Sequence, residues 1–300
     1  MLDFKSIDIN SLAEINKYLK YQIFKTCDFT IGGIYMWASY FKYEYAIYEH
    51  TLFIKGVSEN DLSTVTFSVP VGKLSLSESL NILTEYCKKR CLKFIISAIP
   101  ESEVNREEFK SSSLIKLENW SDYLYDIKSL SILKGRKYNR KRNHVNNFIK
   151  NNPFYIYERI GLDNILKVRV FFNKFKEKIS KDNSTFINEL IQTEYVLKEF
   201  EVFRQFFIGG LLKVDGEVIA FTIGEIVNDT LFIHIEKADV SYKGVYEMIN
   251  MKFASDIMSS FTDVMYINRE EDVGDEGLKK SKLSYNPIML LNKYNIEVYD

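Results

Sequence analysis

The chain has 300 residues, of which 46% are hydrophobic and 15% aromatic, and it contains only four prolines. This composition supports a sizeable core and excludes a largely disordered chain. The formal net charge of −1 excludes a protein that coats polyanions with its whole surface, so any anion site must be local.

The sequence shows no pattern typical of targeting or of metal binding. The opening residues MLDFKSIDIN do not resemble a signal peptide, and the longest uncharged apolar run, FFIGGLL, is too short to cross a bilayer. Cys27, Cys87 and Cys91 have neither C-x-x-C spacing nor a histidine at zinc-ligand spacing. We therefore expect a cytoplasmic protein with reduced thiols and no metal.

The first half alternates helical and strand patterns. SLAEINKYLKYQ has apolar residues on one helical face after Ser11, a candidate N-cap. YEYAIYEHTLFIKG alternates in polarity and predicts two strands that turn at Glu49 and His50. Two more helices are predicted at DFTIGGIYMWASYF and SLSESLNILTEYCKKRC. Further strands are predicted at TVTFSVPVG, LKFIISAIP and DYLYDIKSL.

A basic block, KGRKYNRKRNHVNNFIK at residues 134–150, separates the two halves and is interpreted as a helix. The clearest local signal of the second half is GGLLKVDGEVIAFTIGEIV. It predicts two strands around Asp215 and Gly216, the residues that a type I′ hairpin needs. Strands are also predicted at FYIYERI, TLFIHIEKAD and DVMYINRE. Helices are predicted at GLDNILKVRVFFNKFKEKI, TFINELIQTEYVLKEFEVFRQFF and YKGVYEMINMKFASDIM.

Each half therefore runs helix, long hairpin, strand, helix, strand, which indicates a duplication. We place the boundary after residue 131, giving an N-terminal domain at 1–131 and a C-terminal domain at 132–300. The element order of the second half resembles the GNAT acyltransferase fold. In that fold a turn before a helix binds a pyrophosphate through backbone N–H groups. The corresponding turn here is ADVSYKGVYEM, with Lys243 and Gly244 as the candidate cofactor-binding residues.

Two long stretches carry a narrower resemblance. DYLYDIKSLSILKGRKYNRKRNHVNNF and INREEDVGDEGLKKSKLSYNPIMLLNKY resemble a bacterial domain family related to the C-terminal catalytic domain of phosphatidylglycerol lysyltransferase. The resemblance covers most of the chain. It implies an α+β protein with two GNAT-like domains in tandem, each a mostly antiparallel sheet flanked by helices, in a layout similar to the Fem aminoacyltransferases. The lysyltransferase itself moves an aminoacyl group from tRNA to a lipid headgroup, and its membrane-embedded N-terminal region has no counterpart in this sequence.

The basic block contains six Lys or Arg among its first nine residues and no acid. A helix would bring like charges together four residues apart, at a cost that an anionic partner would offset. Arg140 and Lys141 are the candidate phosphate contacts. The phosphates of tRNA or coenzyme A and a lipid headgroup at a membrane surface are the candidate partners. The alternative is a solvated helix face.

The segment HIEK places His234 and Glu236 on one face of a predicted strand, roughly 7 Å apart. Since the GNAT fold has its acyl-transfer centre beside this strand, either side chain is a candidate base for the attacking amine. The alternative is an exposed sheet face with alternating polarity.

The segment NREEDVGDEGLKKSKLSY follows a buried strand and is dense in mixed charge. Such segments are common at the mouths of α/β sites. Its carboxylates are candidates for binding a cationic amine. Lys282 and Tyr285 are candidates for holding a carboxylate, a phosphate or a developing oxyanion. The alternative is a surface loop that caps a helix. The candidate substrate-binding residues are Asn268, Arg269, Glu270, Glu271, Asp272 and Lys282.

Two functions fit these observations. The first is an acyl or aminoacyl transferase that uses a phosphate-bearing donor, aminoacyl-tRNA or acyl-CoA, and an amine or hydroxyl acceptor, with Glu236, His234 and Tyr285 as catalytic candidates. The second is a catalytically inactive module of the same fold that binds an anionic ligand.

Overall fold

The computed structural model describes residues 2–59, 61–110, 112–178 and 184–298. Its chain divides into two compact units, residues 1–122, 271–274 and 290–300 in the first and residues 123–270 and 275–289 in the second. The helices of the first unit are α1 (Leu12–Leu19), α2 (Ile31–Ala38) and α3 (Leu76–Arg90). Those of the second unit are α4 (Ile127–Ile132), α5 (Asn139–Asn151), α6 (Ile165–Glu177), α7 (Ser184–Lys198), α8 (Phe200–Phe203), α9 (Val245–Ser260) and α10 (Glu276–Leu283).

One sheet belongs to the first unit and has the strand order β1-β2-β3-β4-β6-β15-β7, with β5 beside β3. Its neighbouring strands pair antiparallel except β4 and β6, which are parallel and are connected through α3. Its strands are β1 (Lys5–Ser6), β2 (Glu44–Tyr48), β3 (Thr51–Val57), β4 (Val65–Phe67), β5 (Val71–Gly72), β6 (Ile95–Pro100), β7 (Ser113–Lys116) and β15 (Lys293–Glu297).

The other sheet has the order β14-β8-β13-β12-β11-β10-β9 and forms the centre of the second unit. Strands β12 and β13 are parallel and are connected through α9, so both sheets contain a strand, helix and parallel strand. The α+β class, with two mostly antiparallel sheets flanked by helices, is thus confirmed. The strands are β8 (Asp122–Asp126), β9 (Ile156–Arg159), β10 (Phe207–Val214), β11 (Glu217–Val227), β12 (Thr230–Ala238), β13 (Tyr266–Asn268) and β14 (Met289–Leu291).

The compact units differ from the predicted domains 1–131 and 132–300 near residue 122, at residues 271–274 and at the C-terminus. Strand β8, from the first half, pairs with β13 in the second unit's sheet. Strand β15, from the C-terminus, lies between β6 and β7 in the first unit's sheet. Each half therefore contributes a strand to the other half's sheet, which no local pattern reveals.

Local predictions are confirmed where the sequence contains residues that a specific turn type requires. Asp215 and Gly216 have φ of 50° and 82°, as a type I′ turn requires, so the predicted β10–β11 hairpin is confirmed. The prediction of a continuous strand at DYLYDIKSL is wrong. Its second part is α4, because the Asp126 carboxylate accepts a hydrogen bond from Ser129 N and starts a helix. Ser11 precedes α1 without capping it, since its hydroxyl donates to the Asp8 carbonyl instead.

Candidate active site

A β-bulge shapes the middle of β12. Ile223 lies opposite Ile235 whereas Gly224 lies opposite Ile233, so His234 is the extra residue. Gly224 permits this, because a Cβ there would lie 2.4 Å from the Phe232 carbonyl oxygen. Bulges commonly re-aim a side chain next to a functional site.

His234 is enclosed between two carboxylates of the second unit. Its Nδ1 lies 2.6 Å from Glu270 Oε1 and its Nε2 lies 3.3 Å from Glu225 Oε2, and its side chain is only 1% exposed. Burial alone would lower the pKa of His234, but the hydrogen bonds to Glu225 and Glu270 outweigh burial and raise this pKa to about 9. The imidazole is therefore protonated at neutral pH, which leaves it without a free lone pair for a base.

Glu236 has a different set of partners. Arg269 donates from Nη2 to Glu236 Oε1 over 2.9 Å, and Asn250 Nδ2 lies 3.5 Å from Glu236 Oε2. Both members of the ion pair are about nine-tenths buried. The pair brings together two residues that are 33 positions apart in the sequence.

Three buried polar atoms around Glu236 have no hydrogen-bond partner within the described chain. They are Thr222 Oγ1, Asn250 Oδ1 and Arg269 Nη1. Thr222 is directly opposite Glu236 in the β11–β12 ladder, so the two side chains share a face. Native proteins rarely leave such atoms unpaired unless water, an ion or a ligand satisfies them.

Tyr285 packs between two cations. Its ring centre lies 3.7 Å from Lys141 Nζ and 4.7 Å from the Arg269 guanidinium carbon. Burial raises the pKa of the Tyr285 hydroxyl well above its ordinary value, even though Arg269 opposes this. The phenol is therefore neutral at physiological pH and holds the Arg269 side chain beside Glu236.

Two further candidates of the NREED region support this arrangement. Lys282 is 6% exposed and donates from Nζ to the Arg269 carbonyl oxygen over 2.6 Å. Asn268 is fully buried, and its Oδ1 accepts a hydrogen bond from Glu270 N. Glu270 itself has a φ of 55°, a left-handed conformation that costs free energy and is common at functional sites.

Glu271 and Asp272, the remaining predicted substrate-binding residues, belong to the first unit. Asp272 accepts a hydrogen bond from Gly274 N and so shapes its own loop. Glu271 is part of a buried cluster around Lys293. The segment NREED is therefore divided between the two units at Glu270.

The cluster around Lys293 escaped the sequence analysis. Lys293 is 1% exposed, and its Nζ lies 2.7 Å from Asp28 Oδ2, 2.8 Å from Asp122 Oδ1 and in contact with Glu271 Oε1. Burial alone would lower the pKa of this ammonium, but the carboxylates outweigh burial and raise the pKa well above its ordinary value. The sequence gives no signal of its burial, because alternation in the strand places Lys293 on one face with Asn295 and Glu297.

Cys27 also belongs to this cluster. Its Sγ lies 3.1 Å from Glu271 Oε1, and the donor atoms of Cys27, Asp122 and Glu271 lie within 4.8 Å of one another. Three such donors could hold a metal ion, but the Lys293 ammonium lies among them, 3.5 Å from Sγ. The ammonium already supplies the positive charge that a metal would bring.

The predicted pyrophosphate turn forms the start of α9. Gly244 is the N-cap residue with a φ of 88°, and a Cβ there would lie 2.2 Å from the His144 carbonyl oxygen of α5. Close packing against α5 therefore explains the glycine by itself. Lys243 is exposed beside it. A phosphate-binding role for both residues stays a prediction.

The basic block forms a short 3₁₀ helix, Arg136–Tyr138, followed by α5. Two of its cations point inward. Lys141 is 8% exposed and lies 3.2 Å from Glu247 Oε1, and Arg142 donates to the carbonyl oxygens of Leu133 and Gly135. The cations that remain exposed are Lys134, Arg136, Lys137, Arg140 and Lys150.

Comparison with known proteins places these observations in a family. A family model described as "Phosphatidylglycerol lysyltransferase, C-terminal" matches residues 23–297. A conserved protein of unknown function from Bacteroides thetaiotaomicron is 30% identical in sequence, with a TM-score of 0.87 over 100% of both chains. L-PGS from Bacillus licheniformis is 12% identical, with a TM-score of 0.67 over 95% of this chain and 91% of that one. FemX is 8% identical, with a TM-score of 0.61 over 99% and 97% of the chains, a likeness that concerns the fold alone.

A curated relative is an uncharacterized protein of Mycoplasmoides gallisepticum. It is 25% identical over 189 residues, which amount to 60% of this chain and 57% of that protein. The match therefore spans a little over half of that relative's length. Within the described residues, we find no helix whose length and apolarity would suffice to span a membrane.

Proposed function

This chain belongs to the family of phosphatidylglycerol lysyltransferase C-terminal domains, and from that premise we propose that it is an acyl or aminoacyl transferase whose active centre is the Glu236–Arg269 pair. The donor in this proposal is a phosphate-bearing ester or thioester, aminoacyl-tRNA or acyl-CoA. The acceptor is an amine or a hydroxyl.

The observation that carries the proposal is the set of unpaired buried atoms around an ion-paired carboxylate. Arg269 Nη1 offers N–H donors, Asn250 Oδ1 accepts, and Thr222 Oγ1 can do either. A reacting carbonyl and an attacking amine together need such a mixture of donors and acceptors. His234 lacks this setting, since both ring nitrogens are occupied by carboxylates.

Glu236, Arg269 and Tyr285 each have a separate role in the proposed reaction. The acceptor nitrogen or oxygen attacks the donor carbonyl, and Glu236 takes the proton that the acceptor loses. Arg269 Nη1 donates to the oxyanion that develops on the carbonyl carbon's oxygen. The new acyl–nitrogen or acyl–oxygen bond forms as the carbon–oxygen bond to tRNA, or the carbon–sulfur bond to coenzyme A, breaks, and Glu236 returns its proton to the leaving oxygen or sulfur. Tyr285 keeps the Arg269 guanidinium in place by cation–π contact.

The exposed cations of the basic block are the proposed contacts for the donor's phosphates. Arg136, Lys137 and Arg140 are all exposed, in contrast to Lys141. Lys141 instead connects α5 to Glu247 and Tyr285. In this proposal Arg140 binds the donor, whereas Lys141 stabilises the active centre through its contacts with Glu247 and Tyr285.

The test begins with donor binding. Thermal unfolding is measured with coenzyme A, acetyl-CoA and bulk aminoacylated tRNA, since a ligand at 100 times its Kd adds about 2.7 kcal/mol to the folded state. The combined variant Arg136→Gln, Lys137→Gln, Arg140→Gln should lose the shift and flatten its salt dependence. An unchanged shift and salt slope in this variant would contradict the role of the basic block.

Transfer of a radiolabelled acyl group from the bound donor to small amines then tests the centre. Glu236→Gln should reduce the rate at least about 100-fold while binding the donor normally, as expected for loss of a general base. Glu217→Gln is the matched control, because Glu217 is a 75% exposed glutamate of the same unit. A donor that binds without any transfer in the wild-type protein would favour the inactive anion-binding module instead.

A further inference from the structure

The first unit contains a cavity of about 40 Å³ that is separate from the Glu236 centre. Strand β3, the loop before β2, strand β6 and Lys293 of β15 all contribute to its lining. A cavity of this size holds about three water-sized groups, which suits the end of a chain-like ligand rather than a whole cofactor.

Aromatic side chains form one wall of the cavity. Phe41, Tyr43 and Trp120 line it, with the rings of Phe41 and Tyr43 stacked at 26° and Trp120 edge-on to Phe41. Gly56 makes this wall possible, since a Cβ on Gly56 would lie 2.5 Å from the Tyr43 ring. Aromatic faces attract cations, above all where water is largely excluded.

The carboxylates of Asp28 and Glu59 also line the cavity. Glu59 accepts hydrogen bonds from Asn295 Nδ2 over 2.8 Å and from Ser97 Oγ over 3.4 Å. Both donors are neutral, and no cation of the described chain lies within ion-pair distance of Glu59. Its negative charge is therefore uncompensated.

Lys293 cannot compensate this charge. Its ammonium already lies within ion-pair distance of Asp28, Asp122 and Glu271 and is also 3.5 Å from Cys27 Sγ. Glu59 has no part in these ion pairs, which join Lys293 to the other three carboxylates. Burial raises the pKa of Asp122 to about 8 even though the Lys293 ammonium opposes this.

We propose that this cavity binds the primary ammonium end of a small organic amine, with the ammonium at Glu59 and Asp28 and its first methylene groups against Tyr43 and Trp120. A quaternary ammonium would exceed the space, and an anion would meet Glu59. The proposal is independent of the transferase reaction proposed above, because no residue of the Glu236 centre lines the cavity.

The test is a titration with n-butylammonium chloride in which binding is measured by the change in tryptophan fluorescence. The chain has two tryptophans, so the variant Trp37→Phe leaves Trp120 in the cavity wall as the reporter. We expect a saturable fluorescence change with butylammonium and none with 1-butanol or with sodium chloride at equal ionic strength. Isothermal titration calorimetry of the wild-type protein gives the same answer without the reporter variant.

Two matched variants make the test specific. Glu59→Gln should raise the Kd for butylammonium at least tenfold, while Glu118→Gln, a change at a 75% exposed glutamate of the same unit, should leave the Kd unchanged. Equal binding of 1-butanol, equal affinity in Glu59→Gln, or binding of Mg²⁺ or Zn²⁺ in place of the amine would overturn the proposal.

Discussion

His234 is a buried histidine that the fold keeps charged. Its pKa rises from an ordinary 6.5 to about 9, since the hydrogen bonds to Glu225 and Glu270 outweigh the effect of burial. The folded state therefore binds a proton more tightly than the unfolded chain does. This contribution to stability is fully present below pH 6.5 and is lost as the pH rises through 9.

We predict that unfolding free energy falls by up to about 3 kcal/mol between pH 6.5 and pH 9.5 from this group alone, at about 1.4 kcal/mol per pKa unit. The pKa itself is measurable by NMR titration. The chain has three histidines, and the variant His234→Gln identifies the His234 resonance by its loss. Glu225→Gln should lower the pKa of His234, because it removes one negative charge beside the imidazolium. A His234 pKa at or below 6.5 in the wild-type protein would contradict the prediction.

At the residue scale, the sequence identifies His234 and Glu236 as candidate site residues, but it does not identify the residues that contact them. His234 and Glu236 stood out because both are polar in an apolar strand. Their predicted equivalence as bases rested on regular alternation, and the bulge at His234 interrupts that alternation. Glu225 and Asn250 come from β11 and α9, so their proximity depends on packing over distances that no local pattern encodes.

At the scale of elements, Gly244 shows how one residue type can have two explanations. A glycine before a helix suggested a phosphate-binding turn. The structure gives the glycine a packing reason, since α5 approaches α9 so closely that the His144 carbonyl oxygen occupies the place of a Cβ. The sequence encodes the turn locally, but the partner that makes glycine necessary is 100 residues away.

We predict that Gly244→Ala destabilises the protein by more than about 3 kcal/mol. A left-handed alanine costs roughly 1–2 kcal/mol, and the clash with α5 adds to this cost. Gly216→Ala is the matched control, because Gly216 has a φ of 82° and nothing lies within 4 Å of its missing Cβ. Urea unfolding of both variants measures the difference. Equal losses would mean that α5 moves aside freely and that packing does not require the glycine.

The basic helix α5 also shows that the sequence of an element does not identify the partners of its side chains. Its cations were counted as one group from the sequence, yet Lys141 and Arg142 face protein while Arg140 faces solvent. Helical periodicity predicts a packing face of Tyr138, Val145, Phe148 and Ile149. The first three are buried, but Ile149 is 38% exposed. It did not identify Glu247 as the partner of Lys141, because that residue lies on α9.

At the scale of the whole molecule, each half of the chain supplies a strand to the sheet of the other half. Strand β15 pairs with both β6 and β7, so the first unit's sheet is interrupted without it. The same strand carries Lys293, the ion-pair partner of Asp28, Asp122 and Glu271. A linear division of the sequence at residue 131 could not anticipate this, because the tandem element order is equally compatible with each half closing on itself.

We therefore predict that deleting residues 292–300 abolishes cooperative folding of the first unit rather than trimming its edge. The deletion removes the central strand of three and leaves Asp28, Asp122 and Glu271 without their ammonium. Breaking a buried ion pair costs about 3–5 kcal/mol by itself, a large share of the 5–15 kcal/mol that typically stabilises a domain. Trp37 and Trp120 both belong to the first unit, so tryptophan fluorescence during urea unfolding reports on it directly.

The point variant Lys293→Met separates the stabilising effect of the buried ammonium from that of the β15 strand pairing. It should lower the urea midpoint of the same fluorescence transition, because β15 remains but the carboxylates lose their partner. Lys89→Met, at a 56% exposed lysine of α3, should leave the midpoint unchanged. If the deleted chain kept the wild-type midpoint, the first unit would not depend on the C-terminal strand, and the exchange of strands would be incidental to its stability. If Lys293→Met alone matched the deletion, the buried charge rather than the strand pairing would carry the dependence.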